Sequence, residues 1–146
     1  MEYNTSARGE NAELKARYLE ADRISREIVQ QLLAQCASEL DEASVYEALH
    51  EIVRVKYFLE PADMVTDHFN GLGEISIAKA LGKDPSEVKG IDLEAKCNGT
   101  SSVMTKKILL AMFLNREMHI ALAPDVVANA TTIRALAHET FAQLED

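Results

Sequence analysis

The chain has 146 residues, of which 47% are hydrophobic and 27% charged, with 6 glycines, 3 prolines and no tryptophan. This composition is typical of a globular helical protein that buries a core without needing a disulfide or a metal ion. The formal net charge of -9 opposes binding to nucleic acid or to an anionic membrane surface.

The two cysteines and the distribution of apolar residues bear on the cellular compartment. Cys36 and Cys97 lie far apart with no Cys-x-x-Cys spacing, and no secretory leader is recognisable. No apolar run approaches the length of about 18 residues that a membrane-spanning helix needs. These features predict a cytoplasmic protein.

Residues 1–62 are predicted to form an amphipathic helical hairpin. The first helix begins near Asn11, and the second is capped by Asp41 or Ser44 and stopped by Pro61. An apolar stripe at helical spacing defines the buried face of the first helix: Leu14, Tyr18, Ala21, Ile24, Ile28, Leu32, Cys36 and Leu40. This face packs on its own domain, or else it docks on a partner or on a second copy to form a homodimer.

Residues 63–146 are predicted to form a second helical unit. A helix follows Pro61 and ends at Asn70-Gly71, and another covers Glu74 to Leu81 before Gly82. After an irregular stretch come a long apolar helix from Ser102 to about His119, a short helix over 125–130, and a last helix capped by Thr131 or Thr132. No stretch alternates with period two, so the predicted fold class is all-α.

A glycine and several hydroxyl residues open the long apolar helix. The sequence Gly99-Thr-Ser-Ser-Val103 reads as a loop that enters a helix, with Ser101 or Ser102 as the N-cap. Serine is a common N-cap residue, so the flanking sequence decides what this serine implies.

The flanking sequence, over residues of about 74–146, resembles the acyl and peptidyl carrier proteins. The similar segments are 77–88, followed by Ile91 and Leu93, then 120–125 and 131–136. The resemblance implies a four-helix carrier bundle that is not an enzyme. It also implies a 4′-phosphopantetheine arm on Ser102, with Ser101 as the second candidate. A separate phosphopantetheinyl transferase would donate this arm from coenzyme A, and its thiol would carry an acyl or aminoacyl thioester.

Two departures from the carrier pattern concern the modification and the partners. The family's Asp-Ser-Leu signature reads Ser101-Ser102-Val103 here. The helix after this serine is acidic in typical carriers, whereas it holds Lys106, Lys107 and Arg116 in this chain. We therefore expect acyl- or aminoacyl-transferring partner enzymes to have acidic docking surfaces. Candidate residues for an apolar cavity that holds a short cargo are Leu109, Met112, Phe113 and Ile133.

Two alternative functions remain open. The chain could keep a carrier-like fold without an arm and act as a helical adaptor. Residues 74–88 also resemble a helix-turn-helix DNA reader, although Ser86-Glu87-Val88 lacks the basic and amide residues that contact DNA.

No catalytic or metal motif is complete in the sequence. Glu47-Ala-Leu-His50 has the spacing of a di-iron ligand pair but has no second copy. Asp63, Asp67 and His68 are explained by a solvated polar face. The sequence therefore predicts neither a metal site nor an enzyme.

Overall fold

The computed structural model describes the backbone of residues 2–36, 38–82 and 102–145, and the side chains of 12–36, 38–82 and 103–145. These ranges form six α-helices and no strand, which confirms the predicted all-α class for the described part of the chain. The helices are α1 (Glu2–Leu33), α2 (Glu42–Lys56), α3 (Phe69–Leu81), α4 (Ser102–Met118), α5 (Pro124–Asn129) and α6 (Ile133–Glu145).

The first helix is longer at its start and shorter at its end than predicted. Helix α1 begins at Glu2 and stops at Leu33, before the predicted stripe residues Cys36 and Leu40. The chain then turns, with the Glu39 amide donating to the Cys36 carbonyl at 2.8 Å. A continuous helix to Leu40 would leave no residues for the reversal that brings α2 back along α1.

Helices α1 and α2 pack as an antiparallel pair. The end of α2 lies beside the middle of α1, where Lys56 Nζ is 3.4 Å from Asp22 Oδ1. Of the two predicted N-cap residues of α2, the structure has Asp41, whose carboxylate accepts a hydrogen bond from the Ser44 amide at 2.8 Å. The helix ends at Lys56, before the predicted stop at Pro61.

The predicted helix after Pro61 is wrong. Pro61–Asp63 makes only one 3-10 turn. Helix α3 begins at Phe69, so the predicted stop at Asn70-Gly71 lies inside it, and the helix starts before the predicted Glu74. The intervening segment pairs with the start of α6, since the Phe69 amide donates to the Thr131 carbonyl and the Ile133 amide donates to the Asp67 carbonyl, each at 2.9 Å. These tertiary hydrogen bonds hold the segment out of a helix.

Two glycines, one within α3 and one just after it, have different roles. Gly73 lies within the helix, where an added Cβ would be 2.9 Å from Val103 Cγ1 of α4. Gly82 follows the helix with a φ of 66°, which confirms the predicted glycine stop. Gly73 therefore allows α3 and α4 to approach closely, and Gly82 ends α3.

One buried cluster contains side chains from all six helices. Helix α2 packs on α6, and α3 packs on α4. Fully buried members include Leu49, Ile52, Leu72, Leu110, Leu114 and Leu136. The helices of residues 1–62 and those of residues 63–146 therefore contribute side chains to the same buried cluster.

Candidate functional site

Helix α4 begins at Ser102, the residue that the carrier resemblance singles out. The first amides of a helix have no partner within it, and the helix dipole favours negative charge at this end. The backbone at Ser102 is therefore suited to a phosphate group on the serine. The Ser102 side chain lies outside the described part of the structure, as do all of Ser101, Cys97 and the predicted loop and DNA-reading residues 83–100.

An apolar groove of about 230 Å³ lies between α4 and α5. Ile108 and Met112 of α4 form one wall and are 42% and 60% exposed. Leu122, Pro124 and Val127 form the other. The groove begins at Met104, within the first turn after Ser102.

The four residues predicted to line a cargo cavity lie in three different surroundings. Met112 is on the wall of the α4–α5 groove, whereas Leu109 lines a separate cavity on another side of α4. Phe113 and Ile133 are 3% and 0% exposed and belong to the core. Of this set, only Met112 lines the groove near Ser102.

Lys107 does not lie on the exposed basic face on which the sequence analysis expected it. It is 5% exposed, and its ammonium group donates to the carbonyl oxygens of Ala130 at 3.0 Å and Ala128 at 3.2 Å. These carbonyls are at the carboxyl end of α5, where the helix dipole favours a cation. Burial lowers the pKa of Lys107 from its ordinary value. Lys107 can be buried in this way because the aliphatic part of a lysine crosses the helix interface while its ammonium group contacts backbone carbonyls.

The other two predicted partner-binding cations point to different neighbours. Lys106 is half-buried beside the Tyr57 ring, and burial lowers its pKa. Arg116 is 64% exposed and lies 3.7 Å from Asp22 of α1 and 3.5 Å from Glu117. Lys106, Lys107 and Arg116 therefore do not form one continuous basic surface.

The remaining polar candidates are explained by local contacts. Asp67 accepts hydrogen bonds from the Tyr46 hydroxyl at 2.8 Å and the Arg134 amide at 3.0 Å, so it helps to cap α6. Asp63 pairs with Lys79 at 2.6 Å. No three histidine, cysteine or acidic side chains within 12–36, 38–82 and 103–145 are grouped as a metal site requires.

No protein-family model, no curated protein and no solved structure matches the chain. Among the helices that are described, none combines the length and the apolar character needed to cross a bilayer.

Proposed function

We propose that this chain is a carrier domain, not itself an enzyme, that holds an acyl or aminoacyl thioester on a 4′-phosphopantetheine arm at Ser102. The arm would come from coenzyme A through a separate transferase. A flexible tether raises the effective concentration of its cargo at successive active sites, which is the physical advantage of such a domain.

The observation that carries the proposal is the position of Ser102 at the start of α4, within a characteristic order of helices. Among the described residues, α3 ends at Leu81, and α4, the six-residue α5 and α6 follow one another from Ser102 onward. Carrier proteins have a first helix, a long loop, a second helix that opens at the modified serine, a short third helix and a last helix. A long helix that starts at Ser102, a short helix and a last helix are the order expected after the modified serine of a carrier, which supports Ser102 as the attachment site.

The α4–α5 groove supports the same function. It starts within one turn of Ser102 and has apolar walls, so a short acyl chain could bury methylene groups there. Each methylene removed from water contributes about 0.8 kcal/mol. Cargo on the arm would thereby be protected from water between transfers.

Partner recognition on α4 would depend on Lys106 and Arg116, because the ammonium group of Lys107 is hydrogen-bonded to backbone carbonyls of its own chain. Reversing the charge at Arg116 should slow transfer to a partner with an acidic surface and weaken the salt dependence of the rate. An unchanged rate and salt dependence in Arg116→Glu would contradict an acidic partner surface.

The modification is tested by the intact mass of the protein after incubation with coenzyme A, magnesium and a broad-specificity phosphopantetheinyl transferase. We expect the mass to rise by one phosphopantetheine in the wild type and in Ser101→Ala, and not in Ser102→Ala. Because Ser101 stands where carriers have aspartate, Ser101→Asp should be modified faster than the wild type. If Ser101→Asp also gains no mass, the carrier proposal is contradicted.

An arm-free helical adaptor is the second candidate, and exposed apolar residues on α1 favour it. Leu14, Tyr18 and Leu19 are 43%, 53% and 61% exposed, so this part of α1 presents apolar surface. An adaptor would keep its partner binding in Ser102→Ala, whereas a carrier would lose its cargo.

A further inference from the structure

A small cavity between α1, α2 and α4 has basic groups in an apolar wall. Its volume is about 160 Å³, and it is lined by Tyr18, Ala21, Lys56, Tyr57, Lys106 and Leu110, among others. It shares Tyr18 and Lys56 with an adjoining open groove of about 530 Å³ that includes Leu14 and Leu19. The two together offer a charged pocket that continues into a shallow surface groove with Leu14, Tyr18 and Leu19 beside the charged Lys15 and Asp22.

Among the described side chains, cations outnumber carboxylates around this cavity. Lys106 has no acidic partner among the described side chains, and its Nζ lies 5.6 Å from the centre of the Tyr57 ring. Lys56 pairs with the carboxylate of Asp22. The same carboxylate is also approached by Arg26 at 3.3 Å and by Arg116 at 3.7 Å. Two carboxylates, Asp22 and Glu117, therefore face four cations at this point, since Glu117 lies 3.5 Å from Arg116 and also acts on Lys56.

Tyr57 provides an independent observation. Its side chain is 2% exposed, and its hydroxyl oxygen is buried with no hydrogen-bond partner in the described part of the structure. Most buried hydroxyl groups are hydrogen-bonded, because burial without a partner costs free energy. Tyr57 also lines the cavity, so a ligand oxygen would accept this hydrogen bond once the ring shifts enough to bring the hydroxyl to the cavity wall.

Burial acts on both lysines in the same direction. It lowers the pKa of Lys56 and of Lys106, because an ammonium group is poorly solvated between helices. An anion between them would replace the lost solvation and bring both pKa values back up.

We propose that this cavity binds the carboxylate of a fatty acid of short to medium chain length. The carboxylate lies between the ammonium groups of Lys56 and Lys106, and the chain passes Tyr18 toward Leu14 and Leu19. A cavity of about five water volumes accommodates the carboxylate and the first carbons, and the adjoining groove takes the rest of the chain. Binding at this cavity does not depend on modification of Ser102, since neither Ser102 nor the α4–α5 groove contributes to it.

The first test is an NMR titration of the full chain with hexanoate, with 1-hexanol as the uncharged ligand of matched length. We expect hexanoate to shift the amide signals near Ala21 and Leu110 in a saturable manner, and to bind at least about tenfold more tightly than 1-hexanol. Lys106→Met should weaken hexanoate binding about tenfold or more, because it removes the charge and keeps the apolar stem. Lys79→Met is the matched control, since Lys79 pairs with Asp63 and does not line the cavity.

The second readout is the pKa of Lys106 itself, followed through its side-chain NMR signals in the wild type, so it does not require a stable variant. Saturation with hexanoate should raise this pKa. The proposal is overturned if hexanoate gives no saturable shift, if 1-hexanol binds equally well, if Lys106→Met binds as the wild type does, or if the pKa of Lys106 does not move. Binding of an oligoglutamate peptide in the absence of hexanoate binding would also overturn it, and would assign the cavity to an acidic protein segment.

Discussion

The ammonium group of Lys107 lies 3.0 Å from the carbonyl oxygen of Ala130, so a side chain of α4 closes the carboxyl end of α5. The contact fixes the helix that forms one wall of the groove near Ser102. A cation that the sequence suggests for partner binding thus has an internal role in positioning the candidate site.

Replacing Lys107 with methionine should destabilise the protein and loosen α5. The Ala130 carbonyl, on a residue that is 4% exposed, would lose a charged donor in a place that water reaches poorly. We expect the free energy of unfolding to fall by about 1–3 kcal/mol. Urea unfolding measures this loss, and amide hydrogen exchange should accelerate more in α5 than in α2. A variant as stable as the wild type, with unchanged exchange in α5, would contradict the structural role of Lys107.

Replacing the adjacent Lys106 with methionine should have the opposite effect on stability. Lys106 has no carboxylate or carbonyl partner among the described residues, and burial lowers its pKa below the ordinary value of 10.5. Methionine fills the same space without the cost of burying a charge. We expect the variant to be more stable than the wild type near neutral pH.

The advantage of Lys106→Met should shrink as the pH rises. Between the lowered pKa of the folded state and the ordinary value of 10.5, the unfolded chain binds the proton more tightly than the folded protein does. The free energy of unfolding of the wild type therefore increases with pH in this window, whereas that of Lys106→Met does not receive this increase. Urea unfolding of both proteins from neutral to alkaline pH measures the difference between their free energies of unfolding. The pH dependence that Lys56 and Lys107 contribute is the same in both proteins and cancels in this difference. A constant difference across this range would show that Lys106 is not desolvated.

Features that depend on adjacent residues could be predicted from the sequence. Asp41 caps α2 through an amide three residues away, and Gly82 ends α3 through its own backbone conformation. The start of α4 at Ser102 likewise follows from small hydroxyl residues before an apolar run. Each of these features is decided within one turn of the helix.

Features that depend on distant residues could not be predicted in this way. Lys107 meets carbonyls 21 and 23 residues away, and nothing in its immediate sequence distinguishes it from Lys106. The exposed apolar residues Leu14, Tyr18 and Leu19 and the cavity at Tyr57 also depend on which parts of α1, α2 and α4 meet. The sequence predicted an apolar stripe on α1 but not that its burial begins only near Ala21.

Gly73→Ala should destabilise the contact between α3 and α4. The new Cβ would be 2.9 Å from Val103 Cγ1 and 3.0 Å from Val103 Cγ2, so the helices would have to separate. Overpacking of this kind costs about 1–3 kcal/mol, which exceeds the gain of about 0.5–1 kcal/mol from replacing glycine by alanine within a helix. Thermal or urea unfolding gives the net loss.

A second substitution distinguishes this steric effect from other causes. Combining Gly73→Ala with Val103→Ala removes the clash, so the double variant should be more stable than the sum of the two single effects predicts. If the changes in the free energy of unfolding were additive, the loss in Gly73→Ala would not come from a clash with Val103.

His138 of α6 and Glu42 at the start of α2 should make stability depend on pH. Their side chains meet at 2.7 Å between His138 Nδ1 and Glu42 Oε1, and this contact raises the pKa of His138 above its ordinary value of 6.5. The contact therefore contributes stability that is fully present below pH 6.5 and is lost as the pH rises through the raised pKa of His138. NMR titration of the ring should give a pKa above 6.5 in the wild type and a lower one in Glu42→Gln. The neighbouring Glu139→Gln is the matched control, because Glu139 acts on His138 more weakly than Glu42 does. If Glu42→Gln and Glu139→Gln lowered the pKa of His138 equally, the contact between His138 and Glu42 would not be the main cause of the raised pKa.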